Sequence, residues 1–306
     1  MKLEKEVIGS LFILLSAAGF GTLPILVDLA LTSALNIPTV LIFRFVIALA
    51  LVGLYIYTSA VFTSRYGTAS ENDSETTWKR YILSPRLAGI AFSLGAFGYA
   101  LISWLFFIGV NQINAGLATV VLYTYPLFVV FLGVLLLDES VTQIKLLSVV
   151  ITIVGVSLIS GASFDLLNPL GVIATVSAAV LYAFYIVISR RTLGSVDEVV
   201  LTTYVLSGAA TICIFIGALT GRIVSPSATS EWAVLIGIGT FSTGVPIFAF
   251  FAGLKRIDAS KAGVVATAEP VVAVALGAVL LNETIPVPAY AGTILVITGV
   301  ALIQNE

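Results

Sequence analysis

The chain has 306 residues, a formal net charge of −2, and 10% Asp, Glu, Lys and Arg against 59% hydrophobic residues. Soluble domains carry roughly 25% charge to cover their surface, so this composition excludes a water-soluble enzyme. With no His and one Cys, Cys213, it also excludes a His-ligated metal, a Ser-His-Asp triad, a Cys-His pair and an internal disulfide, and no basic domain is present for nucleic acid.

A helix that crosses a bilayer needs about 20 predominantly apolar residues. In chain order, that ruler predicts ten spans. The first, 7–30, follows Lys2 and Lys5 but is too long for the roughly 7–15-residue core of a signal peptide. Gly19, Gly21 and Pro24 interrupt it. The second, 37–58, contains Arg44. The connection 59–85 holds Arg65, Glu71, Asp73, Glu75, Lys79 and Arg80 among Ser, Thr and Asn, which reads as a solvated loop. Residues 87–137 carry no charge at all. They divide into spans 86–109 and 114–137 at a turn between Gly109 and Gly116, where Asn111, Gln112 and Asn114 are the polar interruption. Spans 141–161, 168–190, 197–219 and 231–254 follow, the last interrupted by Gly244 and Pro246. The ninth, 259–281, carries Glu269-Pro270, and the tenth is 286–304. These runs are apolar throughout, without the alternation of barrel strands. The fold class is therefore all-α and integral to the membrane.

Orientation follows from Lys and Arg. With the N-terminus in the cytoplasm, twelve of the fourteen cations fall inside, Arg222 alone falls outside, and Arg44 lies within a span. An odd number of spans would destroy this bias, so ten spans and cytoplasmic termini support each other.

The chain also repeats. At an offset of 144, residues 86–159 align without a gap on 230–303, with 22 identities in 74 positions. Ile113-Asn114-Ala115 meets Ile257-Asp258-Ala259, Pro126 meets Pro270, and Leu136-Leu137-Asp138-Glu139 meets Leu280-Leu281-Asn282-Glu283. The opening helices align at an offset of 161, Ser16-Ala17-Ala18 on Ser177-Ala178-Ala179. This predicts two five-helix repeats, 1–161 and 162–306, the first holding the loop 59–85. Five is odd, so the second copy is expected to be inverted in the membrane. Inverted repeats build two alternating faces around one central site in many secondary transporters.

Over residues 7–304 the chain resembles the drug/metabolite transporter superfamily, EamA type. The resemblance is carried by the duplicated five-helix unit, Phe43-Arg44-Phe45, Glu269-Pro270, and the "LLDES" and "LLNET" endings after the fourth and ninth helices. It implies a ten-helix carrier of a prokaryotic inner (plasma) membrane with a central substrate cavity. Members that this chain resembles mostly export small metabolites such as amino acids. With Arg44 the one cation inside the bilayer, a multiply charged phosphate substrate is not expected.

Ionisable groups at mid-bilayer are costly, by at least about 2.5–3.5 kcal/mol on insertion scales, so the few present are functional candidates. Glu269 lies near the midplane beside Pro270, which frees a backbone carbonyl. Its carboxylate suits a substrate amine or a coupling proton; a protonated Glu bonded to a neighbouring helix is the structural alternative. Arg44 suits a substrate carboxylate, or else pairs helices through Asp28 or a carbonyl. Tyr99, Trp104, Tyr123, Tyr125, Tyr182 and Tyr185 fall within spans. As a group they predict an amphipathic cavity wall for a neutral, zwitterionic or aromatic solute; helix packing is the alternative for each one. Gly19, Gly21, Pro24, Gly244 and Pro246 are candidate hinges, or passive kinks. Ser148 with Gly155 and Gly292 with Gly299 read as close helix packing, and the "DES" and "NET" endings as helix-end turns.

The function expected is export of a small organic metabolite by alternating access. The partners are the lipid bilayer and a small-molecule substrate, with protons as the candidate coupling ion. No cofactor, metal or nucleic acid is expected, and the chain is expected to be a monomer. A non-transporting membrane sensor or assembly subunit is the alternative, although no loop is long enough for a soluble output domain. An intramembrane enzyme lacks both a base and a second acid.

Overall fold

A computed structural model describes residues 2–33, 35–66, 81–113, 115–161, 168–280 and 285–304. Positions 67–80 of the connecting loop, Asn114 of the α3–α4 turn, the junction at 162–167 and positions 281–284 of the second "LLNET" ending lie outside these residues.

The described residues form ten helices. Helix α1 runs Lys2–Gly21 and, after a turn at Thr22, Leu23–Thr32. Helix α2 is Ile37–Tyr66. Helix α3 comprises Pro85–Ser93, a π-helical turn Leu94–Tyr99, and Ala100–Ile113. Helix α4 is Ala115–Leu122 and Tyr125–Leu137. Helices α5, α6 and α7 are Gln143–Ile159, Pro169–Thr192 and Glu198–Thr220. Helix α8 comprises Thr229–Gly239, a π-helical turn Thr240–Gly244, and Val245–Leu254. Helix α9 is Ala259–Ala266 and Glu269–Leu280, and α10 is Val287–Gln304. Nine of these have the length and apolarity to cross a membrane; α5, at 17 residues, is shorter.

Two boundaries differ from expectation. Helix α2 continues to Tyr66, so the first part of the expected loop 59–85 is helical. Residues 59–66 contain no Gly or Pro, and Ala60 is buried, so the helix has both the propensity and the packing to continue. The turn between α3 and α4 is narrower than 109–116, because α3 persists to Ile113 and α4 begins at Ala115.

Packing follows the duplication. Helix α1 packs on α8 as α6 packs on α3; α2 packs on α7; α5 packs on α10. The π turn of α3 packs on α7, and that of α8 on α2. Each contact maps onto another, or onto itself, when the two five-helix sets are exchanged. Gly155 and Gly292 permit the close approach of α5 and α10: a Cβ on Gly292 would lie 2.5 Å from the Gly155 carbonyl oxygen. Small residues let backbones touch in this way where no hydrophobic force drives helices together.

Candidate functional site

Every backbone irregularity near the middle of the bundle frees polar groups that a continuous helix would satisfy. In α9 the helix breaks at Thr267-Ala268, and Glu269-Pro270 opens its second segment. Glu269 therefore sits in a first helical turn, where unpaired N–H groups and the helix dipole favour a carboxylate. Its carboxyl faces the Tyr123 hydroxyl. In α4 the corresponding break is at Tyr123-Thr124, and Tyr125-Pro126 opens the second segment. The Tyr125 hydroxyl donates to the Gly263 carbonyl at 2.9 Å, which ties α4 to α9.

Arg44 is buried. Its Nε donates to Thr243 Oγ1 at 2.9 Å and its Nη2 to the Tyr99 hydroxyl at 2.8 Å. The guanidinium also lies over the Phe45 and Tyr99 rings, 5.2 and 5.5 Å from their centroids. Tyr99 ends the π turn of α3 and Thr243 lies in the π turn of α8, so Arg44 bridges both. Its partner is not Asp28, which is exposed.

A cavity of about 460 Å³ lies among these groups. Arg44, Glu269, Tyr99, Tyr123, Tyr125 and Tyr182 line it together. The wall then runs along Phe20 and Pro24 of α1, Ser103, Phe106 and Phe107 of α3, Thr119 of α4, and Ala273 and Val274 of α9. It reaches Ile159 and Ser160 at the end of α5. The tyrosines form a connected set: ring centroids lie 5.9 Å apart for Tyr123–Tyr125, 4.6 Å for Tyr125–Tyr182, 6.1 Å for Tyr182–Tyr185 and 5.7 Å for Tyr185–Tyr99.

Two residues of the expected wall stand elsewhere. Tyr185 is buried behind the lining, between Tyr99, Tyr182 and Phe251. Trp104 packs against the hydrophobic core, its buried Nε1 without a hydrogen-bond partner among the described residues. The π turn at Leu94–Tyr99 shifts the register of α3 and so where Trp104 stands, whereas Tyr185, nearly one helical turn beyond Tyr182 on α6, packs among rings instead.

The interrupting residues lie at helix contacts around this cavity. A Cβ on Gly19 would fall 2.3 Å from Pro246 Cγ, and one on Gly21 3.1 Å from the Glu269 carbonyl oxygen. Pro24 lines the cavity, and Gly244 ends the π turn before Val245-Pro246. Thr22, at the break in α1, bonds to Ser242 Oγ at 2.6 Å in that π turn. Thr243, Ser242 and Phe106 carry no warning in composition. Thr243 is nevertheless the repeat partner of Tyr99, and that correspondence is a usable signal.

Residues 7–161 and 169–304 each match the EamA-like transporter family. The chain belongs to that family. It is thus a transporter and not an enzyme. An uncharacterized transporter of Archaeoglobus fulgidus is 28% identical over 220 residues, 70% of this chain and 77% of the relative. The uncharacterized transporter YcbK of Bacillus subtilis is 28% identical over 217 residues, 67% of this chain and 69% of its own length. The aromatic amino acid exporter YddG of Ancylobacter novellus is 26% identical over 190 residues, 60% of this chain and 63% of the relative. A solved crystal structure superposes with a TM-score of 0.78 at 20% identity, covering 96% of this chain and 95% of the other, which is a likeness of fold. The EamA transporter described here thus has a multi-pass membrane architecture and prokaryotic relatives.

Proposed function

We propose that this EamA transporter is a secondary carrier that exports a small zwitterionic metabolite of the amino-acid class by alternating access. One observation carries the reading: a single cavity of about 460 Å³ presents one guanidinium, Arg44, and one carboxylate, Glu269, among tyrosines. That volume is in the roughly 300–1,000 Å³ range of small-molecule sites. A cation and an anion at separate points of one cavity match the carboxylate and ammonium of an amino acid, and the rings suit an apolar or aromatic side chain. Likeness to an aromatic amino acid exporter supports the same class.

The bias of twelve cations against one supports cytoplasmic termini. With ten spans, the halves 1–161 and 162–306 are then inverted with respect to each other, in the inner membrane of a prokaryote. The monomer holds the whole cavity. Glu269, facing Tyr123 at a helix N-terminus, is the group through which a proton would be exchanged for substrate. Gly19, Gly21, Pro24, Gly244 and Pro246 mark where the helices around the cavity flex between states.

Proteoliposome counterflow with a pooled set of amino acids and small metabolites tests the carrier. At least one zwitterionic solute is expected to exchange, and absence of exchange for every solute would overturn the reading. Uptake driven by a pH gradient is expected to vanish in Glu269→Gln. Retained gradient dependence in that variant would remove the proton role while leaving the carrier intact.

A further inference from the structure

Where α4 ends and α9 begins, the two halves meet in a direct side-chain contact. Helix α9 begins at Ala259 with Asp258 in the N-cap position, yet the Asp258 side chain makes no capping bond. It lies 3.7 Å from Lys145 Nζ instead. The cap comes from the other half. Glu139, just past the end of α4, accepts from the Ala259 amide on Oε1 at 2.7 Å. It accepts from the Ser260 amide on Oε2 at 3.2 Å, and from the Ser260 hydroxyl. A carboxylate on unpaired N–H groups at a helix N-terminus is a strong, charge-assisted arrangement.

Local backbone aims Glu139 at this target. Asp138 ends α4 in the left-handed region, φ 56°, and the Glu139 amide turns back to the Gly133 carbonyl at 3.1 Å. The carboxylate then lies over Gly133, where a Cβ would come within 2.9 Å of Oε2. A non-Gly residue in this conformation costs energy and persists only when its surroundings require it. Around the contact, Lys145 donates to the Ser140 carbonyl at 2.9 Å and Lys261 meets Glu6 at 3.3 Å. Everything from Ala259 to Ala266 is buried, and the Tyr125–Gly263 bond separates this packed end from the cavity.

We infer that Glu139 is the latch that holds this end of the carrier shut, by capping α9 from α4, and that the opposite-facing state forms only when this cap is released. The inference rests on the alternating-access reading above. The latch is a positioning residue: it touches no solute, and sets which end of the cavity is open. Gln at 139 would keep an oxygen for one amide but turn an NH₂ toward another donor, leaving that donor unpaired. Asp would fall one methylene short.

The test is thiol accessibility behind the latch. Val129 is fully buried next to Gly263, on the closed side of Tyr125. In the full chain with Cys213→Ser, Val129→Cys is reconstituted in liposomes and exposed to a membrane-impermeant maleimide. Lys5→Cys, at an exposed position next to Glu6 of the same end, identifies the vesicles oriented with this end outward. Adding Glu139→Gln is expected to speed labelling of Val129→Cys about tenfold, the equivalent of one charge-assisted hydrogen bond lost from the closed state. Glu139→Asp should fall between Gln and the parent. Unchanged labelling in a Glu139→Gln protein that melts like the parent would overturn the latch. Should Glu139→Gln not fold, Ser260→Ala, which removes one of the three donors, must still raise labelling; no rise overturns the inference. Counterflow in the same vesicles separates the two readings: exchange with unmoved labelling sinks the latch and keeps the carrier, whereas faster labelling without exchange in the parent keeps the latch and sinks the carrier.

Discussion

Replacing Arg44 with Lys keeps the charge and changes only the geometry of donation, so it asks whether the guanidinium fork organises the site. Arg44 Nε and Nη2 reach Thr243 at 2.9 Å and Tyr99 at 2.8 Å, two residues on different halves. A Lys ammonium is a single point on a shorter stem and holds one of them. The loss is one charge-assisted hydrogen bond in a buried setting, about 1.5–3 kcal/mol, or about ten- to hundredfold in any equilibrium that depends on it. Thr243 remains a donor to the Ile238 carbonyl at 2.8 Å, so the greater disturbance falls on Tyr99. Melting of the purified protein in nanodiscs, followed for Arg44→Lys, Tyr99→Phe and the double variant, measures the coupling. The double variant is expected to melt no lower than the worse single one, a coupling of about 1 kcal/mol or more. Counterflow of the identified solute should weaken in Arg44→Lys, because the same side chain lines the cavity. Wild-type melting in Arg44→Lys, or strictly additive effects of the two substitutions, would refute the bridging role.

Two further substitutions test packing and the boundary of the site. Gly292→Ala places a Cβ 2.5 Å from the Gly155 carbonyl oxygen and 2.9 Å from the Ile159 amide; both are backbone, so the helices must separate, at a cost of about 1–3 kcal/mol seen as a lower melting temperature. An unchanged melt would mean that α5 and α10 are looser than described. Trp104→Phe removes an indole N–H that has no partner among the described residues from a position behind the cavity wall, and should change counterflow by less than about twofold. A large loss of exchange would put Trp104 back in the wall.

The spans were legible because burying charge in lipid is expensive. Runs such as 87–137 leave no other reading, and the duplication is visible as 22 identities at one offset. Boundaries were less legible, since helix continuation through 59–66 depends on Ala60 finding a neighbour. Scarcity singled out Glu269 and Arg44, and both line one cavity. It did not single out their partners, because the Arg44–Thr243 bond spans 199 residues and nothing local announces it. The π turns at Leu94–Tyr99 and Thr240–Gly244 have no local pattern either, and they shift the register of α3 and α8. Glu139 looked like the end of a helix. It stands just past one, but its carboxylate serves a different helix, 120 residues away.

Backbone and chemistry have diverged differently in the two halves. The irregularities are duplicated: π turns overlap at the 144-residue offset, and the breaks at Tyr123-Thr124 and Thr267-Ala268 coincide under it. The side chains at those points are not. Tyr99 faces Thr243 in the alignment, Tyr125 faces Glu269, and Arg44, at the other offset, faces Val205. Helix α1 breaks at Thr22 whereas its counterpart α6 runs unbroken from Pro169 to Thr192. A symmetric backbone supplies two equivalent arrangements of helices, as a carrier with two faces needs. On the function proposed above, unequal side chains would present a solute with one cation and one carboxylate rather than a matched pair of either, which suits a dipolar molecule held in a single orientation. On that proposal, duplication supplies the movement and departure from it the recognition.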